Sequence, residues 1–518
     1  MKDAVPTRRT PRAVLVAVVL ASLALAVACS GPTAPSVSSN NGTGTPTTVA
    51  GVAENLQPFY MQRLRWKACG ASFQCSTLTV PMDYANPTTR SLHLALIRLP
   101  AGDQKHRLGS LVINPGGPGG SGVDYTRGAR QEYTDGVRAR YDIVGFDPRG
   151  VGRSDPIHCL SSTETDAFLG ADPTPTTPEQ IAESVSLAKG FAEKCKSRMG
   201  EELQFIGTRD AAHDLDILRS ALGDKKLFYL GKSYGTFLGA TYADEFPTHV
   251  ARMVLDGVVD PAQTATEIYL GQAKGFELAT RSFMADCVKR KDCPLGNDLE
   301  SGLTRLGAMM SSFSDHPLPT KDSHRPLTEG WGALGVAFAM YSKPLWANLR
   351  VALTAAKAGQ GQPLLTLADG YAQRLGDGRY AGNLNDALYA VNCVDRAQTG
   401  GLAQIEQNAD AFAQPAPIWG RMLAWGALPC AYWPDRPTDA PKAISAPGSG
   451  PILVVGTTRD PATPYEGAQA LAQELADGHL LTYDGDGHTA YREGSSCVDK
   501  TVDAYLLKGA VPPDGKTC

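Results

Sequence analysis

The 518-residue chain lacks the patterns that mark several common classes of binding protein. It has no long block of like charges and a formal net charge of −4, so neither nucleic acid nor an anionic membrane surface is an expected partner. No HExxH motif and no paired CxxC spacing occur, which argues against a zinc site. We therefore expect no metal and no cofactor.

A hydrophobic run long enough to cross a membrane comfortably is also lacking. Residues 13–28 are apolar and follow three arginines, which predicts a signal peptide over residues 1–28 rather than a transmembrane helix. The sequence Ala26-Val27-Ala28-Cys29 resembles a lipoprotein cleavage site, so Cys29 is the predicted lipidation site, with plain secretion as the alternative. Residues 29–58 are predicted to be a lipidated flexible linker. We expect an extracytoplasmic protein that contacts the membrane only through this anchor, or is secreted.

The most informative segment that is present is Gly231-Lys232-Ser233-Tyr234-Gly235. An apolar run precedes it and a helix-like pattern follows it. A serine on so tight a strand-to-helix turn is typical of a nucleophile elbow, in which the flanking glycines avoid backbone collisions. The sequence therefore predicts Ser233 as a nucleophile.

A nucleophile elbow requires an acid and then a histidine later in the chain, each just past a strand. Residues 451–456 form a strand-like run followed by Asp460, and residues 479–483 form another that leads to His488. We predict a catalytic triad in which His488 takes the proton of Ser233 and Asp460 orients the imidazole.

Two other acids leave an alternative open. Asp256 and Asp260 also follow an apolar strand, and some hydrolases take their acid from the strand before the last. Asp460 is favoured over both.

A predicted oxyanion hole completes this pattern. Its first N–H donor is that of Tyr234, directly after the nucleophile. Its second is assigned to Gly117, in the glycine-rich loop that follows the strand-like residues 111–113. A phosphate-binding loop is the competing interpretation, but Pro115 and Pro118 lack the N–H groups that such a loop uses.

The length and order of these signals predict an α/β-hydrolase fold with a mainly parallel central sheet and an inserted helical lid. The first part of the core is assigned to residues 59–261 and the second, carrying the acid and the histidine, to residues 446–518. Residues 262–445 are rich in helix-like patterns and poor in strand signals, so they are predicted to form the lid.

Without Cys29, ten cysteines remain, an even number that suits an oxidising compartment. Pairing close neighbours along the chain predicts five disulfides, although spacing alone does not prove connectivity. The pairs are Cys69 with Cys75, Cys159 with Cys195, Cys287 with Cys293, Cys393 with Cys430, and Cys497 with Cys518.

At this point the chain resembles a known family, the secreted tripeptidyl aminopeptidases and proline-iminopeptidase-like α/β-hydrolases of bacteria. The resemblance covers nearly everything after the linker. Its marks are Leu78-Thr-Val-Pro-Met-Asp-Tyr84, Asn114-Pro-Gly-Gly-Pro-Gly119, Phe146-Asp-Pro-Arg-Gly150, Gly231-Lys-Ser-Tyr-Gly235, Asn392-Cys-Val-Asp395 and Asp460-Pro-Ala-Thr-Pro464.

This resemblance implies a serine exopeptidase that releases short peptides from free N-termini. Asn114-Pro115 departs from the His-Gly of proline iminopeptidases, which favours tripeptide release. Lys232 is a second departure, expected either to influence specificity or to point into solvent. An aminopeptidase needs an acidic group for the substrate ammonium, and Asp395 is the candidate.

The expected partners are peptide or protein substrates with free N-termini, and the protein is expected to be a monomer. The alternative function is a carboxylesterase or lipase that uses the same triad on acyl esters. A non-catalytic binding protein is disfavoured because triad, oxyanion loop and lid are all retained.

Overall fold

One sheet of nine strands runs through residues 48–434 and 440–518, which are the part of the chain described by this computed structural model. In chain order its strands are β1 (Lys67–Ala68), β2 (Gln74–Pro81), β3 (Ser91–Leu99), β4 (Gly109–Asn114), β5 (Tyr141–Phe146), β6 (Leu227–Lys232), β7 (Val250–Asp256), β8 (Ile452–Arg459) and β9 (Gly478–Asp486). Their order across the sheet is β1-β2-β3-β5-β4-β6-β7-β8-β9. The pairs among β1, β2, β3 and β5 are antiparallel and all the others are parallel. The predicted α/β-hydrolase fold with a mainly parallel sheet is confirmed.

Hydrophobic cores cover both faces of the sheet, because apolar side chains of its central strands alternate between the two faces. In β4, Leu111 and Ile113 enter one hydrophobic core while Val112 enters the other. This alternation follows from the two-residue repeat of side chains along a strand, and all six residues of β4 are buried. Because both faces of such a parallel strand are covered, a ligand can reach it only at its carboxyl end.

Helices follow most of the strands or lie in long insertions between them. They are α1 (Gln57–Tyr60), α2 (Gly122–Arg127), α3 (Ala129–Glu132), α4 (Asp135–Arg140), α5 (Ser162–Leu169), α6 (Pro178–Met199), α7 (Thr208–Ala221), α8 (Tyr234–Glu245), α9 (Ala265–Cys287), α10 (Leu299–Asp315), α11 (Glu329–Met340), α12 (Trp346–Lys357), α13 (Gln362–Ala372), α14 (Leu384–Asp395), α15 (Gly401–Ala413), α16 (Gly420–Gly426), α17 (Leu428–Ala431), α18 (Tyr465–Glu474) and α19 (Ser496–Lys508). Of these described helices, none has the length and apolar composition needed to cross a bilayer.

Helices are the main regular elements of the segment between β7 and β8, in the part of it that the structure describes. It contains α9 to α17 and has its own hydrophobic core, built around Phe283, Trp331 and Leu349. A second insertion, α5 and α6, lies between β5 and β6 and also packs against the lid helices, for example through Ala188. The sequence assigned that second insertion to the core. Its helix starts are nevertheless visible as capping boxes at Ser161 and Thr177.

The start of the folded body differs from the predicted linker. Residues 48–58 were assigned to a flexible segment, but Val49, Val52 and Leu56 pack against the hydrophobic core. The side chain of Gln57 also holds the backbone of Val49 through two hydrogen bonds of 2.8 and 2.9 Å. These regularly spaced apolar side chains make burial favourable, so the linker boundary at residue 58 is wrong. The predicted signal peptide and Cys29 lie outside the described residues.

The five predicted disulfides are all present. Cys69 is bonded to Cys75, Cys159 to Cys195, Cys287 to Cys293, Cys393 to Cys430, and Cys497 to Cys518. Pairing neighbours along the chain therefore gave the correct connectivity.

Candidate active site

Ser233 lies on a sharp turn between β6 and α8. Its φ is +56°, a left-handed conformation that costs energy for a residue other than glycine and is kept where function requires it. The turn is tight on both sides: a methyl group on Gly231 would lie 2.2 Å from the carbonyl oxygen of Gly235, and one on Gly235 would lie 2.7 Å from that of Asn114. The glycines of the motif are therefore sterically required, as expected for a nucleophile elbow.

His488 and Asp460 are brought together by the loops after β9 and β8. The imidazole Nδ1 lies 2.9 and 3.0 Å from the two carboxylate oxygens of Asp460. The backbone N–H groups of Ala462 and Thr463 donate to one of these oxygens and that of Thr489 donates to the other. A carboxylate held in this way accepts the proton on Nδ1, which leaves Nε2 available as a base.

Ser233 and His488 approach the same backbone segment. The N–H of Ser233 donates to the carbonyl oxygen of Asp256 at 2.9 Å. The next residue, Gly257, lies against the imidazole, since a methyl group added to it would be 3.4 Å from Cε1 of His488. Within residues 48–434 and 440–518 the hydroxyl of Ser233 has no hydrogen bond to His488. Catalytic hydrogen bonds often tighten only when substrate is bound.

Neither alternative acid contacts the imidazole through a hydrogen bond. Asp256 is completely buried and accepts the N–H groups of Ala490 and Tyr491, both at 2.9 Å. Burial raises the pKa of this carboxyl to about 6, although the nearby ammonium of Lys232 opposes that rise. Asp260 accepts the N–H of Ala262. Asp256 thus fixes the backbone that follows His488, and the position facing the ring belongs to Asp460.

Gly117 and Tyr234 both line the cavity next to Ser233. Among the described residues no group accepts a hydrogen bond from either backbone N–H. Gly116 lies against the elbow, where a methyl group would be 2.8 Å from Cβ of Ser233 and 3.1 Å from the nitrogen of Tyr234. Gly117 and Tyr234 thus border the cavity at the nucleophile with N–H groups that have no acceptor among the described residues, which is compatible with the predicted oxyanion hole.

Gly117, Gly119 and Gly122 also have the G-x-G-x-x-G spacing of a dinucleotide-binding loop. The structure leaves no room for a pyrophosphate there. A methyl group on Gly119 would already lie 2.9 Å from the carbonyl oxygen of Leu384, at the start of lid helix α14. The loop is covered by the lid rather than open to a cofactor.

A cavity of about 360 Å³ lies between Ser233 and the helical insertions. Its walls are mainly apolar and aromatic. The aromatic residues are Phe168, Tyr234, Tyr269, Phe276, Tyr341, Tyr371, Tyr389, Trp419 and Trp425. Of the described residues that line it, Asp172 is the one carboxylate and Arg396 the one cation. The walls come from both insertions, so the α5–α6 segment missed by sequence analysis forms part of the site.

Asp395, the residue predicted to hold the substrate ammonium, does not line this cavity. Its carboxylate accepts the backbone N–H of Thr208 at 2.7 Å and the hydroxyl of the same residue at 2.5 Å, at the start of α7. The Thr208 hydroxyl in turn contacts the hydroxyl of Tyr234. Asp395 is thus linked to the side chain of Tyr234 through Thr208, and its contact with a substrate ammonium stays a prediction.

Lys232 is held inside the fold rather than at its surface. It is buried, and its ammonium donates to the carbonyl oxygen of Tyr491 at 3.0 Å and lies 3.4 Å from Glu493. It does not line the cavity, and it does not point into solvent. Lys232 instead joins the nucleophile turn to the loop that follows His488.

Comparison with known proteins places this geometry in a family. Residues 416–518 match the model of the family described as TAP-like protein. The serine protease Hip1 of Mycobacterium tuberculosis is 40% identical over 491 residues, covering 91% of this chain and 94% of the relative. The chain belongs to the TAP-like family of α/β-hydrolases.

Two further relatives carry different names. The tripeptidyl aminopeptidase of Streptomyces coelicolor is 35% identical, covering 88% of this chain and 85% of the relative. Carboxylesterase B of M. tuberculosis is 38% identical over 86% of each chain. This TAP-like protein is a serine hydrolase, and the family contains members named as peptidases and members named as esterases.

Proposed function

We propose that this serine hydrolase is an extracytoplasmic exopeptidase that releases tripeptides from free N-termini. The observation that supports it most directly is the covered cavity beside Ser233, whose described walls carry a single carboxylate, Asp172. An ammonium group at the end of a peptide acyl chain needs such a partner when it leaves water. The relatives named serine protease and tripeptidyl aminopeptidase add support.

Asp172 lies between α5 and α6 and is held in place by two hydrogen bonds. The N–H of Thr174 donates to it at 2.9 Å and the hydroxyl of Ser314 at 3.5 Å. Glu329 lies nearby and shares Thr174, whose hydroxyl donates to it at 3.1 Å. Burial raises the pKa of Glu329 to about 7, with a contribution from Asp172. A substrate ammonium would relieve this concentration of negative charge.

In the proposed reaction, Nε2 of His488 takes the hydroxyl proton of Ser233 as Oγ attacks the scissile carbonyl carbon. The N–H groups of Gly117 and Tyr234 stabilise the oxyanion. His488 then gives the proton to the leaving amine, the C–N bond breaks and an acyl-enzyme remains. A water molecule, deprotonated by His488, then attacks the acyl carbon. The bond from this carbon to Oγ breaks, His488 returns the proton to Oγ of Ser233, and the tripeptide is released. Asp460 keeps Nδ1 protonated throughout.

The carboxylesterase alternative is supported by the mainly apolar lining of the cavity and by the relative named carboxylesterase B. An aliphatic acyl chain would fill the same walls without needing Asp172. The two functions therefore differ in whether a free ammonium on the acyl part increases the rate.

Three substrates separate the functions: Ala-Ala-Pro p-nitroanilide, its N-acetylated form and p-nitrophenyl butyrate. We expect the free peptide to have the highest kcat/KM and the acetylated peptide to be nearly inert. Ser233→Ala should lower every rate by at least about 10³-fold. Preference for the butyrate, with equal rates for the free and acetylated peptides, would contradict the exopeptidase proposal and support the esterase alternative.

Asp172→Asn tests the ammonium site within the same experiment. Loss of a charge-assisted contact of roughly 1.5–3 kcal/mol predicts a fall of about 10- to 100-fold in kcat/KM for the free peptide. Hydrolysis of the butyrate should stay within about threefold. Asp377→Asn, an exposed lid carboxylate that does not line the cavity, is the matched control.

We also propose that the protein works outside the cytoplasm as a monomer. Five disulfides support an oxidising compartment. Anchoring through Cys29 remains a prediction, and mass spectrometry of the mature N-terminus from the native host would detect the lipid.

A further inference from the structure

Asp486 lies where the loop carrying His488 meets the lid. It is the last residue of β9, two positions before His488, and its side chain is 8% exposed. Its carboxylate accepts hydrogen bonds from Ser282 of α9, from Lys343 just after α11 at 2.9 Å, and from Arg459 of β8 at 2.7 Å. Two of these three donors belong to the lid.

The charge of Asp486 suits this junction. Burial would raise the pKa of the carboxyl, but hydrogen bonds from Ser282, Arg459 and Lys343 hold it below its usual range. The group is therefore ionised at neutral pH and attracts both cations. The side chain of Lys343 is 58% exposed and that of Arg459 is 31% exposed, so solvent screens the pair with Lys343 more than the pair with Arg459.

A second contact joins the lid to the same loop. The backbone N–H of His488 donates to the carbonyl oxygen of Tyr341 at 2.9 Å. The ring of Tyr341 stands edge-on to the imidazole with 5.1 Å between centroids. Gly487 lies between these contacts and has a φ of +115°. A methyl group added to it would lie 3.0 Å from the carbonyl oxygen of Tyr341. The lid therefore contacts the loop on both sides of Gly487.

We propose that Asp486 is a positioning residue through which the lid fixes the imidazole of His488. The lid then does more than cover the substrate, because Ser282 and Lys343 hold the loop from which the base projects. Proton transfer depends steeply on the position of the base, so loosening the loop should slow the chemical step while leaving substrate binding nearly intact. This inference rests on the proposed role of His488 as the base.

The test uses two lid variants that touch neither the cavity nor the triad, Ser282→Ala and Lys343→Met. Rates are measured with p-nitrophenyl butyrate and, independently of substrate, as phosphonylation of Ser233 by a fluorophosphonate. We expect each variant to lower kcat and the phosphonylation rate by about 5- to 50-fold, with KM changed less than twofold. Lys343→Arg should restore most of the rate, because it keeps a cation opposite Asp486.

Arg281→Met is the matched control, because Arg281 neighbours Ser282 on α9 but pairs with Glu300 of the lid itself. It should leave kcat unchanged. Asp486→Ala should slow the same two reactions. If this variant fails to fold, the two lid variants still test the proposal. Equal losses in Arg281→Met, a change confined to KM, or unchanged rates in both lid variants would overturn the proposal.

The outcomes also separate this inference from the proposed function. Inactivity of the wild type on the free peptide, with ester hydrolysis and phosphonylation intact, would refute the exopeptidase. The dependence of those two rates on Ser282 and Lys343 would still test the role of Asp486.

Discussion

At the scale of single residues, Asp256 shows how the site depends on a buried carboxylate that takes no direct part in the proposed chemistry. It anchors two backbone N–H groups after His488 while its own carboxyl is completely buried. Burial raises its pKa from 3.8 to about 6. The folded protein therefore binds this proton more tightly than the unfolded chain does.

This shift predicts that stability is lost as the pH rises. The stabilising contribution is fully present below the unfolded pKa and disappears as the pH passes from about 4 to about 6. Two pKa units correspond to roughly 3 kcal/mol of unfolding free energy. Urea unfolding of the wild type and of Asp256→Asn at pH 4, 5, 6 and 7 measures this contribution to the unfolding free energy. The variant should have the flatter profile over this range, and parallel profiles would contradict the assignment.

At the scale of secondary-structure elements, the turn after β5 is tied to α7 by one buried ion pair. Arg149 donates to both carboxylate oxygens of Asp214, at 2.8 and 2.6 Å, and its side chain is fully buried. It also donates to the carbonyl oxygens of Pro81, Met82 and Phe205. The Phe146–Gly150 motif, one of the marks of the family resemblance, thus joins separate parts of the core.

Breaking this pair should destabilise the protein strongly. Arg149→Met leaves Asp214 buried without its cation, which predicts a loss of about 3–5 kcal/mol in unfolding free energy. Arg153→Met, in the same turn, removes a half-exposed pair with Asp124 and a longer contact of 3.6 Å with Asp147. Asp147 keeps its hydrogen bonds from Ser121 and from backbone N–H groups, so the variant should cost only about 1 kcal/mol. Denaturant unfolding of both variants provides the comparison. Similar losses in the two would show that burial does not determine the strength of these pairs.

The elements also show what sequence patterns can predict. Gly231 is constrained by the carbonyl oxygen of Gly235 within the same turn, so this part of the elbow has a local signature, whereas Gly235 is constrained by Asn114 of β4. The role of Asp395 depends on Thr208, which is 187 residues away, and that of Lys232 on Tyr491, which is 259 residues away. No local pattern records such contacts, so the sequence alone did not reveal them.

At the scale of the whole molecule, disulfides close loops of different lengths. Cys393–Cys430 joins α14 to α17 across 37 positions, whereas Cys69–Cys75 spans only 6. Because a longer closed loop restricts the unfolded chain more, the chain-entropy model gives about 4 kcal/mol for the first and about 2 kcal/mol for the second.

Serine replacement of both cysteines in each pair tests this difference. We expect the 393/430 variant to unfold at the lower denaturant concentration and to lose peptide and ester hydrolysis together, since Cys430 lines the cavity. The 69/75 variant should keep its activity. A larger loss of stability in the 69/75 variant would contradict the loop-length argument.

The sequence by itself determined the α/β-hydrolase fold, the five disulfides and the proposed catalytic residues, because each has a short-range signature: a strand followed by a tight turn, or a cysteine with a near neighbour. The tertiary structure decided which side chains line the cavity. It brought α5 and α6 into the wall, placed Asp172 among the lining residues and joined the lid to the loop of His488. These features depend on packing between segments far apart in the chain, where many partners satisfy the same local pattern and only the folded arrangement selects one.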